Sequence, residues 1–140
     1  MRSITLRDEH STLQLSLATF DTGDDDVYLV AEASTKGFVG RNASVGVSRR
    51  IWAAFIGDFK KLETTRVGEA RLISMSPADF ELRIRSYDRA RRMRITGFVG
   101  DYMISRDVTD VARVPFRIEI DPSTLGSLVT TFEQFVASRE

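Results

Sequence analysis

Six arginines fall within the twelve residues from Arg83 to Arg94, at Arg83, Arg85, Arg89, Arg91, Arg92 and Arg94, with Asp88 the sole acid among them. A guanidinium is permanently charged and presents a planar fork of donors, so a cluster of them suits carboxylates or phosphates. Apolar residues alternate with these arginines, at Leu82 and Ile84 and again at Met93 and Ile95. That period of two predicts a hairpin with one buried face. If core matching pairs Ile84 with Met93 and Leu82 with Ile95, Arg83 stands opposite Arg94, and Arg85 opposite Arg92, on the outward face. Pairing Leu72 with Leu82 then sets Arg71 beside Arg83 and Glu69 beside Arg85. Like charges directly opposite destabilise a sheet by a few tenths to ~1 kcal/mol per pair. The stripe therefore calls for an anion: Glu69, Glu81 and Glu119 of the same chain, an acidic protein surface, or a nucleic-acid backbone. Tyr87 at the hairpin tip and Tyr102 near a loop add aromatics of the kind that anchor interfaces. The candidate partner-binding set is Arg71, Arg83, Arg85, Tyr87, Arg89, Arg92 and Arg94.

Other chemistry is thinly served. His10 sits in Asp8-Glu9-His10-Ser11, where a general base would have an acid and a hydroxyl beside it. A solvated turn accounts for the same four residues, and no Gly-x-Ser-x-Gly elbow accompanies them. Asp21 and Asp24-Asp25-Asp26 offer oxygen ligands for a hard cation, but without the alternating spacing, internal Gly and distant Glu of an EF-hand. A solvated hairpin tip is the favoured reading of them. Gly-Phe-Val-Gly occurs at Gly37–Gly40 and at Gly97–Gly100. A phosphate cradle needs a helix to start at once, and neither copy is so followed, so a strand bend or bulge is expected there.

The composition narrows the classes further. The 140 residues carry 20 Lys+Arg and 20 Asp+Glu, and zero net charge argues against nucleic acid as the partner. Hydrophobic residues make up 42%, enough for one self-sufficient core. The absence of Cys removes disulfides, thiol catalysis and thiolate metal sites, and a single His forms no imidazole cluster. No metal and no cofactor are expected, and no apolar run is long enough to span a membrane as a helix. The charged start Met1-Arg-Ser-Ile-Thr-Leu-Arg-Asp-Glu does not resemble a secretory leader, which predicts a cytoplasmic protein.

The elements that must position the arginines follow from periodicity. Alternation predicts strands at Ile4–Leu6, Leu13–Leu17, Val27–Ala33 and Phe38–Val47, with Ala43, Val45 and Val47 on one face of the last. A turn is expected between the second and third, at Asp21–Asp26. Ser48 is a good N-cap, and Ile51, Trp52, Phe55, Ile56, Phe59 and Leu62 form one helical stripe after it. Lys60 and Lys61 are expected in its last turns, with Gly68 in the loop that follows. Strands return at Ala70–Ser74, Phe80–Ile84, from Met93 towards Ile104, and Val114–Ile120, with Ser105–Asp110 a polar loop. Asp121 and Pro122 then open a second helix whose stripe is Leu125, Leu128, Val129, Phe132, Phe135 and Val136. The expected fold is α+β, in the order ββββαββββα. It would be an antiparallel, strongly twisted sheet of about eight strands, with two amphipathic helices packed on it. No Pro-, Gly- or Ser-rich linker divides residues 1–140, so one domain is expected.

Three pieces carry a family resemblance: Ile51-Trp52-Ala53-Ala54-Phe55 with Phe59 and Leu62; Gly68-Glu69-Ala70-Arg71-Leu72 with Phe80-Glu81-Leu82-Arg83-Ile84; and Phe116-Arg117-Ile118-Glu119-Ile120-Asp121-Pro122 with Leu125 and Leu128. Their order and spacing resemble small bacterial single-domain proteins akin to WapI-type immunity proteins. The resemblance implies a non-catalytic chain that binds and neutralises a cognate toxin, and it assigns no catalytic residues. The functional expectation is thus a protein-binding module, with nucleic-acid or anion binding through the same Arg face as the alternative. Oligomeric state is not legible.

Overall fold

The computed structural model describes residues 3–18, 25–90, 92–104 and 109–137, and side chains outside 102–111. Among these, alternation and helical stripe resolve into eight strands and two α-helices, in the expected ββββαββββα order. The strands are β1 (Ser3–Arg7), β2 (Ser11–Leu17), β3 (Val27–Thr35), β4 (Phe38–Val47), β5 (Glu69–Ile73), β6 (Phe80–Ser86), β7 (Met93–Ile104) and β8 (Thr109–Ile120). The helices are α1 (Arg49–Thr65), between β4 and β5, and α2 (Leu125–Ala137), which follows a 3-10 turn at Pro122–Thr124. All pairings are antiparallel, and the strands divide into two meanders, β1-β2-β3-β4 and β5-β6-β7-β8.

Several local expectations are met for the reasons given. Ser48 caps α1, its hydroxyl accepting from the Ile51 N–H. Trp52, Phe55, Phe59 and Leu62 are the buried residues of the helix. The helix runs on to Thr65, so Lys60 and Lys61 stand more than a turn before its end, and Lys60 pairs with Glu133 of α2 at 3.3 Å. The helix ends on Arg66 in the left-handed conformation (φ 59°), whose guanidinium donates to the carbonyls of Glu63 and Pro122. Asp121 caps the turn before α2 by accepting from the Ser123 N–H. The two helical stripes meet in one aromatic cluster in which Trp52, Phe55, Phe59, Phe132 and Phe135 lie with neighbouring ring centroids 5.4–6.2 Å apart. Each fully buried ring contributes roughly 1.5–3 kcal/mol relative to exposure.

β4 departs from simple alternation. Lys36 and Gly37, both at positive φ, make the tight turn from β3, a geometry whose twist matches the strands it joins. Register then shifts, because Leu29 pairs with Val45 but Ala31 with Asn42. The extra residue turns Asn42 inward and Ala43 outward, against the expected Ala43/Val45/Val47 face. The buried Asn42 amide is satisfied, donating to the Gly100 carbonyl and accepting from the Ser44 N–H, both at 2.9 Å.

The two sheets do not continue into one another through β8. Three of its backbone groups, between Pro115 and Glu119, are met by side chains instead. The Asp8 carboxylate accepts from the Glu119 N–H at 2.9 Å, and the Ser11 hydroxyl from the Arg117 N–H at 3.3 Å. The Thr35 hydroxyl donates to the Pro115 carbonyl at 2.7 Å. Pro115 itself suits an edge, since it has no N–H to offer. The start of β8 lies at Thr109, inside the segment expected as loop, because β7 and β8 pair out to Ile104 and Thr109. Residues 105–108 lie outside the described part.

Candidate docking face

The outer face of β5–β8 runs in three rows across the strands, and the first two hold Arg71, Arg83, Arg85 and Arg94 of the candidate set. Paired registers place Glu69, Arg85, Arg94 and Glu119 in one row. Arg71, Arg83, Thr96 and Arg117 form the next, and Ile73, Glu81, Phe98 and Pro115 the third. The β5–β6 register is as expected, with Leu72 on Leu82, Arg71 on Arg83 and Glu69 on Arg85. The β6–β7 register is two residues away from the expected one, with Ile84 on Ile95, Leu82 on Gly97 and Ser86 on Met93. Arg83 therefore faces Thr96, and the like-charged pair is Arg85 with Arg94. A slip of two keeps every side chain on its face, so alternation alone could not distinguish the registers. Gly97 permits the observed one. Its absent side chain leaves space that Phe116 and the Glu81 carbonyl occupy.

Most of the stripe is neutralised from within the chain. Glu81 accepts from Arg71 at 2.7 Å and from Arg83 at 2.8 Å, and Glu69 approaches Arg83 at 3.7 Å. Burial raises the Glu81 carboxyl, but the hydrogen bonds from Arg83 and Arg71 outweigh it and hold the group below the ordinary glutamate range. Glu119 takes Arg94 at 3.0 Å and Arg117 at 3.8 Å. Its desolvation is likewise outweighed, by hydrogen bonds from Tyr87 and Arg94, and its carboxyl also lies low. Arg92 pairs with Asp88 at 2.6 Å.

Two cations of the set are left over. Arg85 and Arg89 are exposed and have no acidic partner among the described residues. They flank Tyr87, whose ring lies under the Arg94 guanidinium (3.8 Å to the centroid) and near that of Arg92 (5.5 Å). Each such contact is worth ~0.5–1 kcal/mol at an exposed site. The hydrogen bond to Glu119 raises the pKa of the Tyr87 hydroxyl, so it remains a donor through neutral pH. The basic character thus concentrates at the β6–β7 end of the face rather than along its length. A cleft of about 660 Å³ opens there, lined by Tyr87, Arg92, Arg94, Arg117, Glu119 and Pro122. Arg117 was not in the sequence-derived set, although the alternation Phe116-Arg117-Ile118-Glu119-Ile120 already places it on the face of Glu119.

The remaining candidates are distributed elsewhere. His10 is exposed in a separate groove with Asp8, Ser11, Lys36, Arg117 and Glu119, and its Nε2 lies 3.2 Å from Glu9. The Ser11 hydroxyl is engaged by Thr35 and the Arg117 N–H, so it is committed to the sheet edge. Asp25 pairs with Arg49 at 3.3 Å and Asp26 accepts from the Arg49 N–H, while Asp21 and Asp24 lie outside the described residues. No group of three metal-ligating side chains occurs among the described residues. The two Gly-Phe-Val-Gly copies occupy β4 and β7, which are not equivalent positions in the two ββββα halves. They serve close approach, with Gly40 set against Val114 and the Gly100 carbonyl receiving Asn42. The Tyr102 side chain lies outside the described part. No family model, curated protein or solved structure matches the chain.

Proposed function

We propose that the chain is a non-catalytic protein-binding module, of the toxin-neutralising immunity kind, which docks an acidic surface of its partner at the β6–β7 end of the outer face. The observation that carries this is the pair of exposed, unmatched arginines, Arg85 and Arg89, two residues before and two residues after an arginine-stacked Tyr87 in the chain. Charges left without an internal partner gain most from an external carboxylate, and they speed encounter with a surface of opposite sign. Internal pairing of Arg71, Arg83, Arg94 and Arg117 disfavours a phosphate backbone, which would need a continuous run of free cations.

The test is affinity capture with the wild-type chain, an Arg85→Glu/Arg89→Glu variant, and Arg50→Glu as an exposed control on α1. One partner should be retained by wild type and control, lost with the double variant, and released progressively by salt. Retention by the double variant overturns the proposal. So does tight low-salt binding of single- or double-stranded nucleic acid by the wild type in an anisotropy titration.

A further inference from the structure

We infer that β5 is a homotypic docking edge, through which two copies of the chain join antiparallel about Ala70. Ser74 donates from its N–H to the Phe80 carbonyl, so alternation directs the backbone groups of Leu72 and Ala70 towards β6 as well. Those of Glu69, Arg71 and Ile73 point away from the sheet. The next residue in that phase, Met75, donates outward to the Gly46 carbonyl at 2.7 Å. The N–H and C=O groups of Glu69, Arg71 and Ile73 have no partner among the described residues, so they are open to a second strand.

Charge selects the register. With Ala70 opposite its own copy, Glu69 of each chain stands across from Arg71 of the other, in both directions. Those are also the residues whose backbone groups point outward, so each pair closes two hydrogen bonds. A register centred on Arg71 opposes like cations, and one centred on Glu69 opposes like anions.

The other three edges lack this self-complementarity. β8 is engaged between Pro115 and Glu119 by Asp8, Ser11 and Thr35. β1 presents Ser3, Thr5 and Arg7 on its exposed face, a cation with no acid. β4 presents Val39, Arg41 and Ala43, again without an acid, and its Gly46 carbonyl is already taken. Charges on an edge strand ordinarily deter pairing, but on β5 they favour the register centred on Ala70 over its two neighbours, centred on Glu69 and on Arg71.

Sedimentation equilibrium over a concentration series tests the inference directly. The wild type should dimerise reversibly. Arg71→Glu and Glu69→Arg should each weaken self-association by roughly tenfold or more, since both faced pairs become like-charged. Mixed in equal amounts, these two variants should form a one-to-one heterodimer, because every facing pair is then opposite in sign. Arg71→Pro should abolish association while leaving the β5–β6 ladder intact, as the lost N–H points outward. Glu69→Gln, which preserves the Arg71–Glu81 pair, should weaken association severalfold. A wild type that stays monomeric overturns the inference, as does a dimer indifferent to Arg71→Pro and Glu69→Gln. A folded mixture of the charge variants that associates no better than either alone does so too.

Discussion

Asp8 ties the β1–β2 turn to β8, and its replacement has a calculable cost. Its Oδ1 accepts from the His10 and Ser11 N–H groups at 2.8 and 3.0 Å, holding the β1–β2 turn, while Oδ2 takes the Glu119 N–H. A hydrogen bond to a charged acceptor is worth ~1.5–3 kcal/mol when shielded, and toward 0.5–1 when water competes. Solvent reaches all three here, so Asp8→Ala should cost about 2 kcal/mol in total. Asp8→Asn separates the parts: its carbonyl can still hold the turn, but its NH₂ faces the Glu119 N–H, donor against donor. That variant should lose about half as much. Burial pushes the Asp8 carboxyl up, yet backbone donation from Glu119, His10 and Ser11 brings it below the usual 3.8. With the folded pKa below the unfolded one, its contribution is complete above that value and disappears as pH falls through the folded pKa. Urea unfolding followed by Trp52 fluorescence, from about pH 7 to about pH 3, should show the wild-type advantage over Asp8→Ala shrinking toward acid with unchanged m-value. A loss under ~0.5 kcal/mol at neutral pH, or equal costs for Asn and Ala, would refute the clasp.

Two further substitutions probe the face and the core. Glu81→Gln should cost about 1 kcal/mol, discounted for partial exposure, by loosening Arg71 and Arg83. Because the Glu81 carboxyl is depressed below 4.5, the loss should be full above that pH and fade below it, read from urea midpoints at several pH values. Phe132→Ala opens the aromatic cluster and should cost ~3–5 kcal/mol, seen as a lower urea midpoint with red-shifted Trp52 emission.

Element order, the Ser48 and Asp121 caps, both helical stripes and the β5–β6 register were legible in the sequence, because each rests on contacts close along the chain or on a single periodicity. The β6–β7 register was not, since registers two residues apart bury the same faces and the choice fell to the fit of Gly97 beneath Phe116. The bulge that turns Asn42 inward was hidden for a similar reason: its amide is needed only where Gly100 passes it. The candidate site shows the same division. That arginines would share the outer face follows from alternation within each strand. Which of them remain unneutralised depended on where Glu81 and Glu119 arrive, and Glu119 reaches Arg94 across 25 residues of chain. Local sequence thus determined the elements and the faces they present. Tertiary structure alone decided how distant charges cancel and which edges stay open, because those depend on through-space distances that periodicity does not encode.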